Sequence, residues 1–157
     1  TLPAGERSFT TPVFEGWDES VERVRKIWVE QGPFDGILGF SQGAIFIAAL
    51  CALGIVKPST CRTAEQTSTV PVLRPDYLML FGSHVPGPFK CELTKLAEEC
   101  PNFRALHIIG AGDEINPPEG GRQVAAALGG TIFEHPGGHD LPMDETAVAT
   151  YEQFLRA

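Results

Sequence analysis

Short apolar runs alternate with longer amphipathic stretches along this chain. The runs at about 34–40, 77–82, 104–110 and 130–134 have the length and composition of buried strands. Between them lie segments with helical spacing, at about 18–31, 42–53, 92–99, 118–128 and 143–156. In the first, Val21, Val24, Ile27 and Trp28 fall on one side, and Glu19, Glu22, Arg23 and Lys26 on the other. The second, from Ala44 to Leu53, is apolar all round, as a fully buried helix is. In the last, Val148, Tyr151, Phe154 and Leu155 form an apolar stripe. Pro117 and Pro118 suit the start of the fourth helix and Gly129-Gly130 its end. Alternation of this kind predicts the α/β class, with a mainly parallel sheet and right-handed crossovers. Residues 54–76 are rich in Ser, Thr and Pro and read as a surface excursion.

Candidate chemistry sits where the first strand meets the all-apolar helix. Gly39-Phe40-Ser41-Gln42-Gly43 matches G-x-S-x-G in a strand–turn–helix setting. A sharp turn there holds the serine Oγ clear of the backbone. Glycines at 39 and 43 are expected to let strand and helix close around it. The N–H of Gln42 then lies at a helix N-terminus, facing a developing oxyanion. The competing reading is a tight turn whose serine is a small helix N-cap.

Two partners follow in the chain order Ser, Asp, His that α/β-hydrolases use. Asp113 comes just past the end of the run Ala105-Leu106-His107-Ile108-Ile109. His139 lies in a glycine-flexed loop, His135-Pro136-Gly137-Gly138-His139-Asp140, after the strand Thr131–Glu134. Catalytic groups gather at such strand ends in open α/β sheets. Ser41 is then the nucleophile, His139 its general base and later acid, and Asp113 the group that fixes the imidazole tautomer. Asp113 also reads as a cap for the next helix, and His139 as an ordinary loop histidine. His135 is the rival base, and Glu114, Asp140 and Asp144 are rival acids. Asp140 adjoins His139, so the two side chains should diverge. His107 alternates within a strand and reads as a satisfied core histidine. Phe40, Ile115 and Leu141 flank the triad residues and read either as pocket walls or as core. Ser83 and His84 open the loop 83–91, a candidate rim for an acyl pocket or a plain connection.

Four blocks carry a family resemblance: Gly32 to Ala44 (G-P-F-D-G-I-L-G-F-S-Q-G-A), Tyr77 to Gly82, Ile108 to Asp113, and Gly137 to Pro142 (G-G-H-D-L-P). Together they resemble the family serine hydrolases (FSH type) of the α/β-hydrolase superfamily, over roughly residues 14 to 157. Acyl-protein thioesterases share the G-F-S-Q-G elbow and are the rival family; G-G-H-D-L-P fits the FSH type better. The resemblance implies a three-layer α/β-hydrolase-like sandwich. It also implies an esterase or thioesterase acting on short to medium-long acyl chains, with no metal or organic cofactor. It maps nucleophile, acid and base onto Ser41, Asp113 and His139. Family members begin with a strand and a His-Gly loop that supplies a second oxyanion N–H. This chain starts Thr1-Leu2-Pro3-Ala4-Gly5 and reaches the elbow by residue 39. We therefore expect a fragment, a processed form or an incomplete gene model. Residues 34–40 would then be a flat apolar sheet edge, open to self-association or a partner. Loss of one oxyanion donor costs on the order of 10²–10³ in kcat. Residues 1–13 read as an extended arm, available to cover that edge.

Composition narrows the partners. At 157 residues the chain reads as one domain over 1–157, able to bury a sizeable core. The net charge of −8 argues against nucleic acid or an anionic membrane. No run is apolar for long enough to span a bilayer; the longest, Ala44 to Val56, is broken by Gly54. Cys51, Cys61, Cys91 and Cys100 show no C-x-x-C metal spacing and read as reduced thiols of a cytoplasmic protein, with Cys91–Cys100 the one conceivable disulfide. Two functions compete: a serine esterase or thioesterase, and a catalytically impaired hydrolase fold that binds a ligand or partner. An acyltransferase of the same fold is not separable from the first by sequence.

Overall fold

The computed structural model describes residues 7–60, 71–99 and 101–157. Its elements run α1 (Trp17–Gln31), β1 (Gly36–Phe40), α2 (Gln42–Ala52), β2 (Tyr77–Phe81), a 3₁₀ turn (Gly87–Phe89), α3 (Lys90–Glu99), β3 (Ala105–Gly110), α4 (Pro118–Leu128), β4 (Thr131–His135) and α5 (Glu145–Arg156). The strands form one parallel sheet in the order β1-β2-β3-β4. The predicted α/β class with a parallel sheet is therefore the fold.

The boundaries shift for local reasons. β1 starts at Gly36 rather than residue 34. The 3₁₀ turn leads directly into α3, so that helix starts at Lys90. Asp144 caps α5 by accepting from the N–H groups of Thr146 and Ala147, so the helix begins at Glu145.

Side-chain alternation along the strands divides the core in two. Ile37, Leu78, Leu80 and Ala105 face Ala44, Ile47 and Ala48 of α2 and Val124 and Leu128 of α4, with Val21, Val24 and Trp28 of α1 on the same cluster. On the other face Met79, Phe81, Leu106 and Ile108 pack against Phe133 and against Tyr151 and Phe154 of α5. Each large side chain so buried contributes about 1.5–3 kcal/mol.

Three expectations are corrected here. β1 is not covered on both faces. Leu38 and Phe40 share the face of Met79 and Phe81 by register, yet they are 58% and 38% exposed. The rings of α5 lie against Tyr77, Phe81 and Phe133, so their cover starts at β2. Residues 7–13 are not an extended arm along that edge. They turn, with Thr10 and Thr11 N–H both donating to Arg7 O, and they dock on the loop after β2. There Gly87 N–H donates to Ser8 O, and Phe9 stacks on His84 at 3.9 Å. The excursion after α2 is rooted in the core: Val56 and Leu73 form a parallel bridge and both are fully buried. Cys51 is free and buried and Cys91 free and exposed, so Cys91 is not in a disulfide; Cys61 and Cys100 lie outside the described residues.

Candidate active site

Ser41 stands between β1 and α2 with φ 54° and ψ −121°, a backbone conformation that costs an ordinary residue about 1–3 kcal/mol. The turn is held from both sides. Ser41 N–H donates to Phe81 O at 2.9 Å, and Ile45 N–H donates to Ser41 O at 3.1 Å. Gly39 is required: a Cβ there would lie 2.6–2.7 Å from Ile47 Cδ1, Ala44 N and Gly43 C. Gly43 does not play the part expected of it, because a Cβ on it would meet nothing within 4 Å. Gln42 is the first residue of α2, so its N–H is among those the helix leaves unpaired at its N-terminus.

The carboxyl ends of β3 and β4 bring Asp113 and His139 to this turn. His139 Nε2 lies 2.7 Å from Ser41 Oγ, and His139 Nδ1 lies 2.7 Å from Asp113 Oδ2. A carboxylate only accepts, so Nδ1–H donates to Asp113, and Nε2 is left to accept from the serine hydroxyl. The Asp113 side chain is 1% exposed and that of His139 is 12% exposed. The hydrogen bond between them is thus shielded while the imidazole keeps a path outward. Asp113 Oδ1 accepts from the N–H groups of Ile115 and Asn116, at 2.9 and 2.8 Å. The two loops are stitched together by Ala111 N–H to His135 O and Gly112 N–H to Gly137 O. Tyr151 Oη donates to Pro142 O and fastens the far end of the histidine loop to α5.

Gly82, at the end of β2 with φ 55°, is the fourth wall. A Cβ there would stand 3.1 Å from the His139 ring and 3.4 Å from Asp113 Oδ2. Its carbonyl accepts from Asn116 Nδ2 at 2.7 Å. Asn116 escaped the sequence reading. The signal was present, since an Asp followed by polar and proline residues favours a side-chain-to-backbone turn.

The remaining predicted positions divide. Phe40 lies with its ring 5.0 Å from that of His139, and Ile115 and Leu141 are 46% and 42% exposed, so none of the three is core. Ser83 is buried, its Oγ without a hydrogen-bond partner, and does not line an opening. His84 is stacked on Phe9 and stands against Gly120; burial lowers its pKa. Phe9 lies on the His84 ring and Ser83 is buried, so neither is an open rim. His135 turns to Asp140 at 3.7 Å, away from Ser41. His107 is buried with Nε2 against Gly129 O at 2.9 Å, while its Nδ1 has no partner. Among the described residues no His, Cys, Asp and Glu cluster suits a metal, and no helix is long and apolar enough to cross a membrane.

A parallel α/β sheet with serine on a strained strand–helix turn, and acid and imidazole on the next strand ends, defines the α/β-hydrolase class. A solved structure of Paleococcus ferrophilus monoacylglycerol lipase has the same fold, with a TM-score of 0.61 at 14% identity over 97% of this chain and 78% of that one. A family model described as serine hydrolase (FSH1) matches residues 5–151, and the chain belongs to that family. Among its relatives are esterase OVCA2 of Danio rerio, 36% identical over 146 residues, and esterase CG5412 of Drosophila melanogaster, 33% identical over 148. The matches take in 90% and 92% of this chain but 57% and 47% of those proteins. The chain therefore spans about half the length of the curated relatives it matches.

Proposed function

We propose that this chain carries the catalytic centre of a serine esterase or thioesterase working through an acyl-enzyme. The observation that carries the reading is the line from Ser41 Oγ to His139 Nε2 to Asp113 Oδ2, two contacts of 2.7 Å each. Ser41 attacks the acyl carbonyl as its proton passes to His139. Gln42 N–H, with the positive end of α2 behind it, stabilises the oxyanion. Asp113 holds the imidazole in register and stabilises its charged form. His139 then protonates the departing alcohol or thiol, and water attacks the acyl-enzyme by the reverse route. Membership of the family and relatives named as esterases support this reading. It needs no metal or organic cofactor, and free Cys51 and Cys91 fit a cytoplasmic setting. The test is hydrolysis of p-nitrophenyl esters. Ser41→Ala is expected to abolish turnover and His139→Ala nearly to match it, because the residues act as a unit. Normal hydrolysis by Ser41→Ala would end the assignment.

A second reading, an impaired hydrolase fold that acts through a partner or through self-association, rests on the outer edge of β1. That edge is unpaired among the described residues, and Leu38 beside it is 58% exposed. Open strand edges of this kind pair with other strands.

A further inference from the structure

Tyr151, on α5, touches the supports of both Ser41 and His139. Its ring meets Phe81 edge-on at 5.5 Å, and the carbonyl of Phe81 is the one that accepts Ser41 N–H at 2.9 Å. The ring also meets Phe133 edge-on at 6.3 Å, on the strand that leads into the histidine loop. Its hydroxyl donates to Pro142 O at 2.9 Å, where the loop runs from His139 to α5.

We propose that Tyr151 is a positioning residue: through Pro142, its hydroxyl holds His139 Nε2 within reach of Ser41 Oγ. The proposal rests on the esterase reading of Ser41 and adds to it a residue that sets kcat from outside the triad. Between buried His135 and buried Ala147, Pro142 alone is buried. Ahead of His139 the loop is held by the β3–β4 pairing up to His135, and by Gly112 N–H, which donates to Gly137 O. Beyond His139, Asp140, Leu141 and Met143 are exposed. Among the described residues the Tyr151 bond is the only hydrogen bond to residues 140–143. Asp140 turns toward His135, but 3.7 Å is too long for a hydrogen bond, and an exposed contact of that kind contributes little. His139 therefore lies on a span with two fixed ends, and Tyr151 makes the second.

The chemistry of the two partners suits the task. A proline ring locks φ at about −65°, so the chain entering Pro142 is fixed in direction relative to the anchored carbonyl. Burial first, and then the carboxylates of Asp144 and Asp140, raise the Tyr151 pKa from the ordinary 10. The hydroxyl therefore keeps its proton, and stays a donor, across the pH range in which a histidine serves as base. Phenylalanine in its place would keep both ring contacts and lose only the bond to Pro142.

The test compares Tyr151→Phe with Arg104→Met. Arg104 Nη2 donates to Phe154 O near the other end of α5, so its loss loosens the helix without touching the histidine loop. A 1 Å displacement of a reacting group costs about 10²-fold in rate. Tyr151→Phe should therefore lower kcat for p-nitrophenyl acetate at least about tenfold, with KM within about twofold of the wild type. A fluorophosphonate should still label its Ser41 to completion, more slowly by a similar factor, because labelling draws on the same serine–histidine pair. Arg104→Met should keep kcat within about twofold of the wild type. An unchanged kcat in Tyr151→Phe would overturn the proposal. So would an equal fall of kcat in both variants, or a rise in KM alone. In each case the label on Ser41 leaves the esterase reading standing. A wild type that takes no label overturns both.

Discussion

Asn116 Nδ2 donates a 2.7 Å hydrogen bond to the carbonyl of Gly82, and this bond joins the strand ends between which the Ser41–His139–Asp113 line is held. Asn116 also gives its own N–H to Asp113 Oδ1. One buried side chain thus fixes the acid's loop against the residue that backs the imidazole. Asn116→Ala leaves the Gly82 carbonyl buried and unpaired, at about 1–3 kcal/mol. It also frees Asp113 to shift, and a 1 Å misplacement costs about 10²-fold in rate. We expect kcat to fall by about that factor with KM nearly unchanged. Asn116→Asp should do worse, since it sets a carboxylate against a carbonyl and a second carboxylate. Equal kcat in wild type and Asn116→Ala would show that the bond does not position the acid.

The elbow stores strain that a substitution can release. Ser41 sits at φ 54°, where glycine alone is at ease. Ser41→Gly removes the strain and Ser41→Ala keeps it. Ser41→Gly should therefore be the more stable of the two inactive variants by about 1 kcal/mol, a difference of about 2–4 °C in Tm for a chain of this size. Calorimetry of the pair decides the matter, and a less stable glycine variant would contradict the reading.

Buried histidines set the acid limit of the fold. Burial lowers the pKa of His107 from the ordinary 6.5. The folded state therefore holds it neutral while the unfolded chain takes up its proton. The stability it contributes is fully present above pH 6.5 and is lost as pH falls below that value toward the depressed folded value. His84, lowered by burial too, acts in the same direction. Urea midpoints should fall steadily from pH 7 to pH 5, and the slope should shrink in His107→Asn. A pH-independent midpoint would remove both residues from the account.

The edge of β1 predicts association. Leu38 and Phe40 lie exposed next to an unpaired strand edge. Sedimentation should show self-association that grows with concentration. Leu38→Lys should reduce it without loss of folded stability, because a charge on an exposed edge blocks further pairing. Identical association in the variant would place the contact elsewhere.

Much of this was legible in the residues. Ser41, Asp113 and His139 could be read because each ends an apolar strand run and follows the hydrolase chain order. The alternation of runs likewise announced a parallel sheet. Other features depended on packing that no local pattern encodes. The exposure of Leu38 depends on how far α5 reaches across the sheet. The covering of His84 depends on Phe9 folding back onto its ring, whereas residues 1–13 read as an extended arm. Phe14 lies just before α1, Trp17 at its start and Phe46 on α2, so Trp17 meets Phe46 only once the two helices pack. Asn116 lay three residues past Asp113, but its target, Gly82, is on another strand.

The most direct measurement is the intact mass of the purified chain with and without a fluorophosphonate probe, beside Ser41→Ala. The account predicts one adduct on the wild type, at Ser41, and none on the variant. A folded wild type that gains no mass, or a Ser41→Ala protein that still gains it, would contradict the claim that Ser41, His139 and Asp113 form a working nucleophile.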